Sequence, residues 1–246
     1  MTDRLKQLVK QILSSLGIHI TRNQRYDALA SKIMRRTIRQ NSNCVDVGCH
    51  KGEILEEMVR LAPKGKHFAF EPIPSLYKEL KSKFNGHVSI HNLALSDDQG
   101  ETSFQHVVSN PAYSGIRKRT YKGEEDIEVI RVRKDKLDAI LPDGVAIDFM
   151  KIDVEGAEME VLKGAKEHIR ESKPVIIFEH GLGASDHYGT TPEALYDLLH
   201  RDCGLHISLM DKYLDGETPL SKEQFIDQFY KSINYYFVAY PDKQAV

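Results

Sequence analysis

Six residues able to bind a cation or move a proton stand in or at the ends of apolar, β-prone runs: Asp46, Glu71, Asp153, Glu155, Glu179 and His180. In an open α/β sheet the carboxyl ends of parallel strands face a common crevice. Acids and an imidazole repeated at such ends therefore point to one site. The chemistry on offer is recognition of a cation or of hydroxyl groups by carboxylates. A carboxylate or an imidazole titrating near working pH can also take up a hydroxyl proton.

The first acid lies in Cys44-Val-Asp-Val-Gly-Cys-His-Lys-Gly52, a β-type run closed by a glycine turn, after which Ile54, Leu55, Met58 and Val59 recur at helical spacing. Strand, tight turn and helix form the phosphate-cradling corner of nucleotide sites. A dinucleotide corner needs G-x-G-x-x-G. Here Gly48 and Gly52 are four apart, position 50 is His, and Asp46 would repel a pyrophosphate. An acid beside such a turn suits a ligand with a positive charge and an amino-acid end, such as S-adenosylmethionine. From the residues alone an ordinary strand-to-helix turn remains the alternative.

The later segments keep step with that reading. Lys66-His-Phe-Ala-Phe70 is a second strand, closed by Glu71-Pro72 and followed by Ile73 and a helix over 74–84. Glu71 follows Asp46 by 25 positions, where an acid accepts from both ribose hydroxyls. Pro72 keeps Glu71 out of the helical region. A strand over 87–91 leads into Asn92-Leu-Ala-Leu-Ser-Asp97, which offers Ala94 and Leu95 as a flat adenine wall and Asn92 for the base edge. The run 146–152 is a central strand with Asp153, Glu155 and Glu158 at its mouth, where mutual repulsion would raise their pKa values. Asp153 and Glu155 also suit capping of the next helix. Pro174–Phe178 ends in Glu179-His180-Gly181, an acceptor-side pair followed by a glycine-rich wall.

Residues 3–16 place Leu5, Leu8, Val9, Ile12, Leu13 and Leu16 on one helical face, with Arg4, Lys6 and Lys10 elsewhere. That face suits packing on the domain or on a second subunit as a homo-oligomer, or peripheral contact with an anionic membrane. A second helix covers 23–39. Residues 99–132 alternate at period two around a polar stretch, 109–125, rich in turn formers and holding Arg117, Lys118, Arg119 and Lys122. It reads as a lid whose basic residues meet an acidic group on the acceptor, or as a solvated loop. A helix over 191–201, a strand over 205–210, a helix over 221–230 and a strand over 234–240 complete the chain. The fold class is a three-layer, Rossmann-like α/β sandwich with a seven-stranded, mostly parallel sheet and an antiparallel hairpin at one edge. Residues 1–40 form a helical extension and 41–246 the domain.

Composition narrows the partners. A net charge of −2 leaves no nucleic-acid footprint. No apolar run reaches the ~20 residues of a membrane span, and no signal-peptide pattern is present. Three cysteines without metal spacing fit a reducing compartment, so a cytoplasmic protein is expected.

Val45-Asp-Val-Gly-x-x-x-Gly52, Phe70-Glu-Pro72, Asn92-x-Ala-Leu-Ser-Asp97 and Lys151-Ile-Asp-Val-Glu-Gly-Ala-Glu158 with Leu162-x-Gly164 together resemble the FkbM-type S-adenosylmethionine-dependent methyltransferases. The resemblance covers roughly residues 43–240 and implies a class I methyltransferase fold and O-methylation of a sugar hydroxyl or secondary metabolite. It departs at 49–50, where this chain has Cys49-His50 in place of the family's usual Ala-Asn. By this resemblance Asp46, Gly48, Cys49, His50 and Gly52 hold the methionine portion, Glu71 with Pro72 and Ile73 the ribose, and Asn92, Ala94 and Leu95 the adenine. Asp153 lies near the transferring methyl, and Asp153, Glu155 and His180 are the base candidates. The acidic cluster is also compatible with Mg²⁺, although the sequence demands no metal. The competing readings are a binding module that keeps the pocket without the chemistry and a nicotinamide-dependent oxidoreductase, which the missing third glycine opposes.

Overall fold

Apolar runs with both faces covered make the centre of this molecule. The computed structural model describes residues 21–121 and 123–242; the helix expected over 3–16 and Lys122 of the basic loop lie outside them. Ten strands follow in chain order: β1 Cys44–Val47, β2 His67–Phe70, β3 Ser89–His91, β4 Ala94–Leu95, β5 Gly100–Val107, β6 Ile127–Asp135, β7 Phe149–Ile152, β8 Val175–Glu179, β9 His206–Leu209 and β10 Tyr236–Tyr240. Every residue of β1 and β2 is buried, as expected for parallel strands sandwiched between helices. Phe70, Phe149, Phe178 and Phe237 are among the largest fully buried side chains. Each contributes roughly 1.5–3 kcal/mol by leaving water.

Seven strands form the main sheet in the order β3-β2-β1-β7-β8-β10-β9. All neighbours are parallel except β10, which runs antiparallel to both β8 and β9. The expected antiparallel pair is thus present, with β10 inside the sheet and β9 at the edge. The chain winds outward from β1 to β3, then returns to β7 on the other side of β1. The crevice of a doubly wound sheet therefore opens at the carboxyl ends of β1 and β7.

Two expectations shift. The strand over 87–91 shortens to β3, and Ala94–Leu95 leaves the main sheet to pair with β6 in a second sheet, β4-β6-β5. Asn92 makes the break by donating its side-chain amide to the carbonyls of Glu71 (2.9 Å) and Pro72 (3.0 Å). The central strand begins at Phe149 instead of 146, because Asp148 turns back to accept the Asn43 N–H. The antiparallel pairing of β5 with β6 matches the alternating pattern around the basic loop.

Helix α1, Arg22–Thr37, opens with a reciprocal cap between Thr21 and Gln24. It buries Ile33 and Met34 in the cluster that holds Met58, Phe149, Met210 and Val238. The described part of the expected extension therefore packs on the sheet's helices and strands. Helices α2, Glu53–Leu61, α3, Pro74–Phe84, and α4, Glu158–Gly164, follow β1, β2 and β7. Helix α5, Lys222–Tyr230, precedes β10. No described helix is long and apolar enough to cross a membrane.

Candidate active site

The turn after β1 is fixed by its glycines. Gly48 has φ of 74°, and a Cβ there would lie 2.0 Å from the carbonyl oxygen of Asp153. Glycine is thus required by close packing of the β1 and β7 mouths as well as by its left-handed backbone. His50 also has positive φ, 48°. Its N–H donates to Oε2 of Glu71 at 2.9 Å, while the Ile73 N–H donates to Oε1 at 2.9 Å. One buried carboxylate therefore joins the two turns. Burial pushes Glu71 up to about 7, against those two N–H groups.

Beside Glu71 opens a slot lined by Phe70, Pro72, Ile73, Leu93, Ala94 and Leu95, roofed by Pro111, Ala112, Ser114 and Ile116 of the long loop. The expected wall residues Ala94 and Leu95 are in place. Asn92 does not line the slot; its NH₂ group is committed to the backbone of the Glu71 turn, which corrects the expectation that it reads a base edge.

A wider cleft of about 580 Å³ adjoins the slot and shares Gly48, His50, Ala112, Asp153 and Glu155 with it. Asp46, Cys49, Lys151 and Glu179 lie in its floor, and Arg22, Tyr113 and Tyr235 line it as well. Asp46 is fully buried, and neither carboxylate oxygen has a hydrogen-bond partner among the described residues. Burial raises it to about 6, although Lys151 pulls the other way. Asp153 differs. Burial opposes its charge, but Lys151 (Nζ to Oδ2, 3.1 Å) and the Tyr236 hydroxyl, donating to Oδ2 at 2.6 Å, hold it below the usual carboxylate range. Glu179 hydrogen-bonds the same carboxylate and is raised well above its ordinary value by burial and by the charges of Asp153 and Glu158. Of this pair, Glu179 is the one disposed to hold a proton and Asp153 the one disposed to charge.

Oxygens of Asp153, Glu155 and Glu179 come within 4.8 Å of one another. The chain supplies cations to them: Lys151 on Asp153, and Arg119 from the long loop, which ion-pairs with Glu155. Glu155 reaches that position from a left-handed backbone, φ 59°. The Arg119 guanidinium also lies over the Tyr113 ring, 4.9 Å from its centroid. Arg117 N–H donates to the Tyr188 hydroxyl at 2.8 Å, and the Thr120 N–H to the Gly183 carbonyl at 3.0 Å. The expected lid is thus a strap tied across the cleft. Its arginines meet groups of the protein itself, whereas the sequence had suggested groups on an acceptor. Glu158 accepts from the N–H groups of Val154 and Gly156 and so braces the mouth from beneath.

His180 does not join the site. Its ring is fully buried and stacked against Phe225 and Phe229, with centroids 6.0 and 4.6 Å away. Neither ring nitrogen has a partner among the described residues, and burial lowers its pKa to about 3. His180 lines neither the slot nor the cleft, so the structure does not bring this base candidate to Asp153 and Glu155. Sequence reasoning passed over Lys151, Tyr236 and Arg119 as site residues. Lys151 carried a signal, a charge inside an apolar central strand; Arg119 was expected in the lid, with an acceptor group as its partner in place of Glu155; Tyr236 carried none.

The family model for the methyltransferase FkbM domain matches residues 46–207, more than half of the chain. The chain belongs to the FkbM methyltransferase family. The methyltransferase sdnD of Sordaria araneosa is 29% identical over 160 residues, covering 52% of this chain and 61% of that protein. The 2-O-methyltransferase NoeI of Sinorhizobium fredii is 25% identical over 150 residues, covering 52% and 59%. The AMB antimetabolite synthetase AmbE of Pseudomonas aeruginosa is 26% identical over 210 residues, 70% of this chain but 10% of its own length. The chain thus spans a tenth to six-tenths of these curated relatives. Among solved structures, the methyltransferase FkbM from Methylobacillus flagellatus KT aligns with a TM-score of 0.51 and 15% identity, over 85% of this chain and 50% of that one. The fold of this FkbM-family chain is the Rossmann-like class I methyltransferase fold, and the family's methyl donor is S-adenosylmethionine.

Proposed function

We propose that this chain is an O-methyltransferase that moves the methyl group of S-adenosylmethionine to a hydroxyl of a sugar, a glycan or a related hydroxylated metabolite. The observation that carries the reading is Asp46, a fully buried carboxylate with both oxygens unsatisfied, facing a cleft next to the slot anchored by Glu71. A buried anion whose neighbouring cation, Lys151, is engaged by Asp153 stays costly unless a ligand brings a further cation to it. The methionine ammonium and sulfonium are such cations. Glu71 accepts the ribose hydroxyls with its remaining lone pairs, and Ala94, Leu95 and Ile73 flank the base. Gly48, Cys49, His50 and Gly52 supply the turn that lets the methionine end approach.

When bound, the donor supplies an electrophilic methyl on a positively charged sulfur. The chain's task is to place the acceptor oxygen in line with that methyl and to accept its proton as the oxygen's charge changes. Asp153 fits best, since it lines both slot and cleft and is held as an anion. Glu155 stands next to it, neutralised by Arg119. An acceptor with several hydroxyls suits a floor of carboxylates and tyrosines, and NoeI, a distant relative, is named for 2-O-methylation.

Calorimetric titration with S-adenosylmethionine, with NAD as control, tests the donor. A panel of mono- and oligosaccharides, read by formation of S-adenosylhomocysteine and by mass spectrometry, tests the acceptor. Micromolar donor binding with methylated sugar supports the reading. Binding of NAD instead overturns it, and donor binding without transfer to any hydroxyl reduces the chain to a binding module.

A further inference from the structure

Asp153 sits in a field of acids with two permanent cations, Lys151 beside it and Arg119 on the neighbouring Glu155. It faces Lys151 on β7, Asp46 on β1, Glu179 on β8, Tyr236 on β10, Glu158 on α4, His50 on the glycine turn and Asp27 on α1. Asp46 and Lys151 are Cα partners across β1 and β7, so their side chains leave the same face of the sheet. Tyr236 is the register partner of Glu179 across β10 and β8. Two donors from different strands, the Lys151 ammonium and the Tyr236 hydroxyl, end on one and the same oxygen, Oδ2 of Asp153.

We propose that Lys151 and Tyr236 are positioning residues, which together hold Oδ2 of Asp153 and, with the Glu179 hydrogen bond to the same carboxylate, orient it to take the acceptor's hydroxyl proton. The inference rests on the methyltransferase reading above. An ammonium buried in a strand costs several kcal/mol unless anions surround it. Here Asp46 and Asp153 share it. Once the donor's own cation occupies Asp46, Lys151 is left to Asp153 alone, so cofactor binding completes the anchoring of the base. In the step itself the acceptor oxygen would bond the methyl as the methyl–sulfur bond breaks with its electron pair left on sulfur; the acceptor O–H bond breaks, its pair stays on that oxygen, and the proton passes to Asp153. Tyr236 fixes the plane of the carboxylate, since a 2.6 Å hydroxyl contact allows little rotation. Nothing in a tyrosine on the last strand suggests this role from sequence.

The test uses the full chain labelled with ¹³C at the aspartate carboxyls, in wild type, Lys151→Met, Lys151→Arg, Tyr236→Phe and Asp153→Asn. The last identifies the Asp153 resonance by its disappearance. In the free protein that resonance is expected to titrate at least one pH unit higher in Lys151→Met and less far in Tyr236→Phe, with Lys151→Arg near wild type. The acid limb of turnover should move by the same amount, and at high pH both variants should recover in part but stay slower than wild type, because the ionised carboxylate is no longer held in place. Adding Lys151→Met to Asp153→Asn should cost no further turnover. An Asp153 titration unmoved in both variants, or a loss of turnover equal at every pH, overturns the proposal. If Lys151→Met does not fold, Tyr236→Phe, which loses one oxygen, still decides it by the same criterion. A shifted resonance in a protein that methylates no hydroxyl supports the anchoring and faults the function; methyl transfer with an unshifted resonance does the reverse.

Discussion

The two halves of the crevice are built by different means. On the slot side, proposed for the donor, Glu71 holds backbone N–H groups of two neighbouring turns, and the walls come from residues 70–73 and 93–95, close together in the chain. On the cleft side, proposed for the acceptor, Asp153 is held by Tyr236, 83 positions away, and Glu155 by Arg119 of the strap. The first half is backbone geometry set by glycines and a strand-end acid; the second is a charge network assembled across the sheet. A site made of local backbone tolerates little change in shape. A site made of distant side chains can be altered one contact at a time.

The largest effect should therefore come from the donor-side backbone. Gly48→Ala places a methyl carbon 2.0 Å from the Asp153 carbonyl at positive φ, and donor binding is expected to fall by at least a hundredfold in calorimetry, with a lowered melting temperature. Retained binding would mean that the two strand mouths can separate, and the contrast between rigid and adjustable halves would fail.

Glu71→Gln comes next. Loss of charge-assisted hydrogen bonds worth roughly 1.5–3 kcal/mol each should weaken donor binding ten- to a hundredfold. The wild type should show a matching pH dependence. Glu71 and Asp46, raised by burial to about 7 and about 6, must be ionised to meet a cation and hydroxyl donors. Affinity is thus full only about a unit above pH 7 and weakens as pH falls through 7 and 6, by about tenfold per unit for each group protonated. In the free protein the sign reverses: protons held by these two groups stabilise the fold at low pH, and that contribution is lost as pH rises through 6 and 7. Calorimetry in buffers of different ionisation enthalpy would reveal the released protons, and pH-independent binding without proton release would detach both acids from the donor.

Arg119→Met should have a smaller, one-sided effect. The acceptor KM is expected to rise several-fold while donor affinity changes by less than threefold, both read at saturating partner. Equal changes in the two would show that the strap serves both halves as one lid.

His180→Phe should do least. Its ring lies among Phe225 and Phe229, so turnover should stay within twofold of wild type. Stability in acid should improve. A histidine held neutral to about pH 3 costs the native state about 1.4 kcal/mol per pH unit below the ordinary value of 6.5, where the unfolded chain takes a proton and the folded one does not. A large loss of turnover in this variant would return His180 to the chemistry.

Much of this was present in residue order. The D-x-G-x-x-x-G turn, the acid at the end of the second strand and the carboxylates at 153 and 155 lie where the sequence placed them, because parallel strands deliver their carboxyl ends to one crevice whatever their length. Helices and strands followed their apolar periods, and the last two strands pair antiparallel as expected. Where local reading failed, a side chain had been drawn off by something remote. Asn92 turned to the backbone of Glu71, His180 was taken into an aromatic cluster contributed by α5, and the strap's arginines found partners in the protein.

The sequence by itself determined the sheet, the glycine turn and the acids around it, since each follows from local conformational preference and from the burial of apolar runs. Only the tertiary structure decided which acid carries a charge. Asp153 and Glu179 are both strand-end carboxylates, alike in chemical type, yet Lys151 and Tyr236 converge on one and burial with like charges weighs on the other. Proton affinity depends on distance and solvent exclusion, and neither is written in residue order.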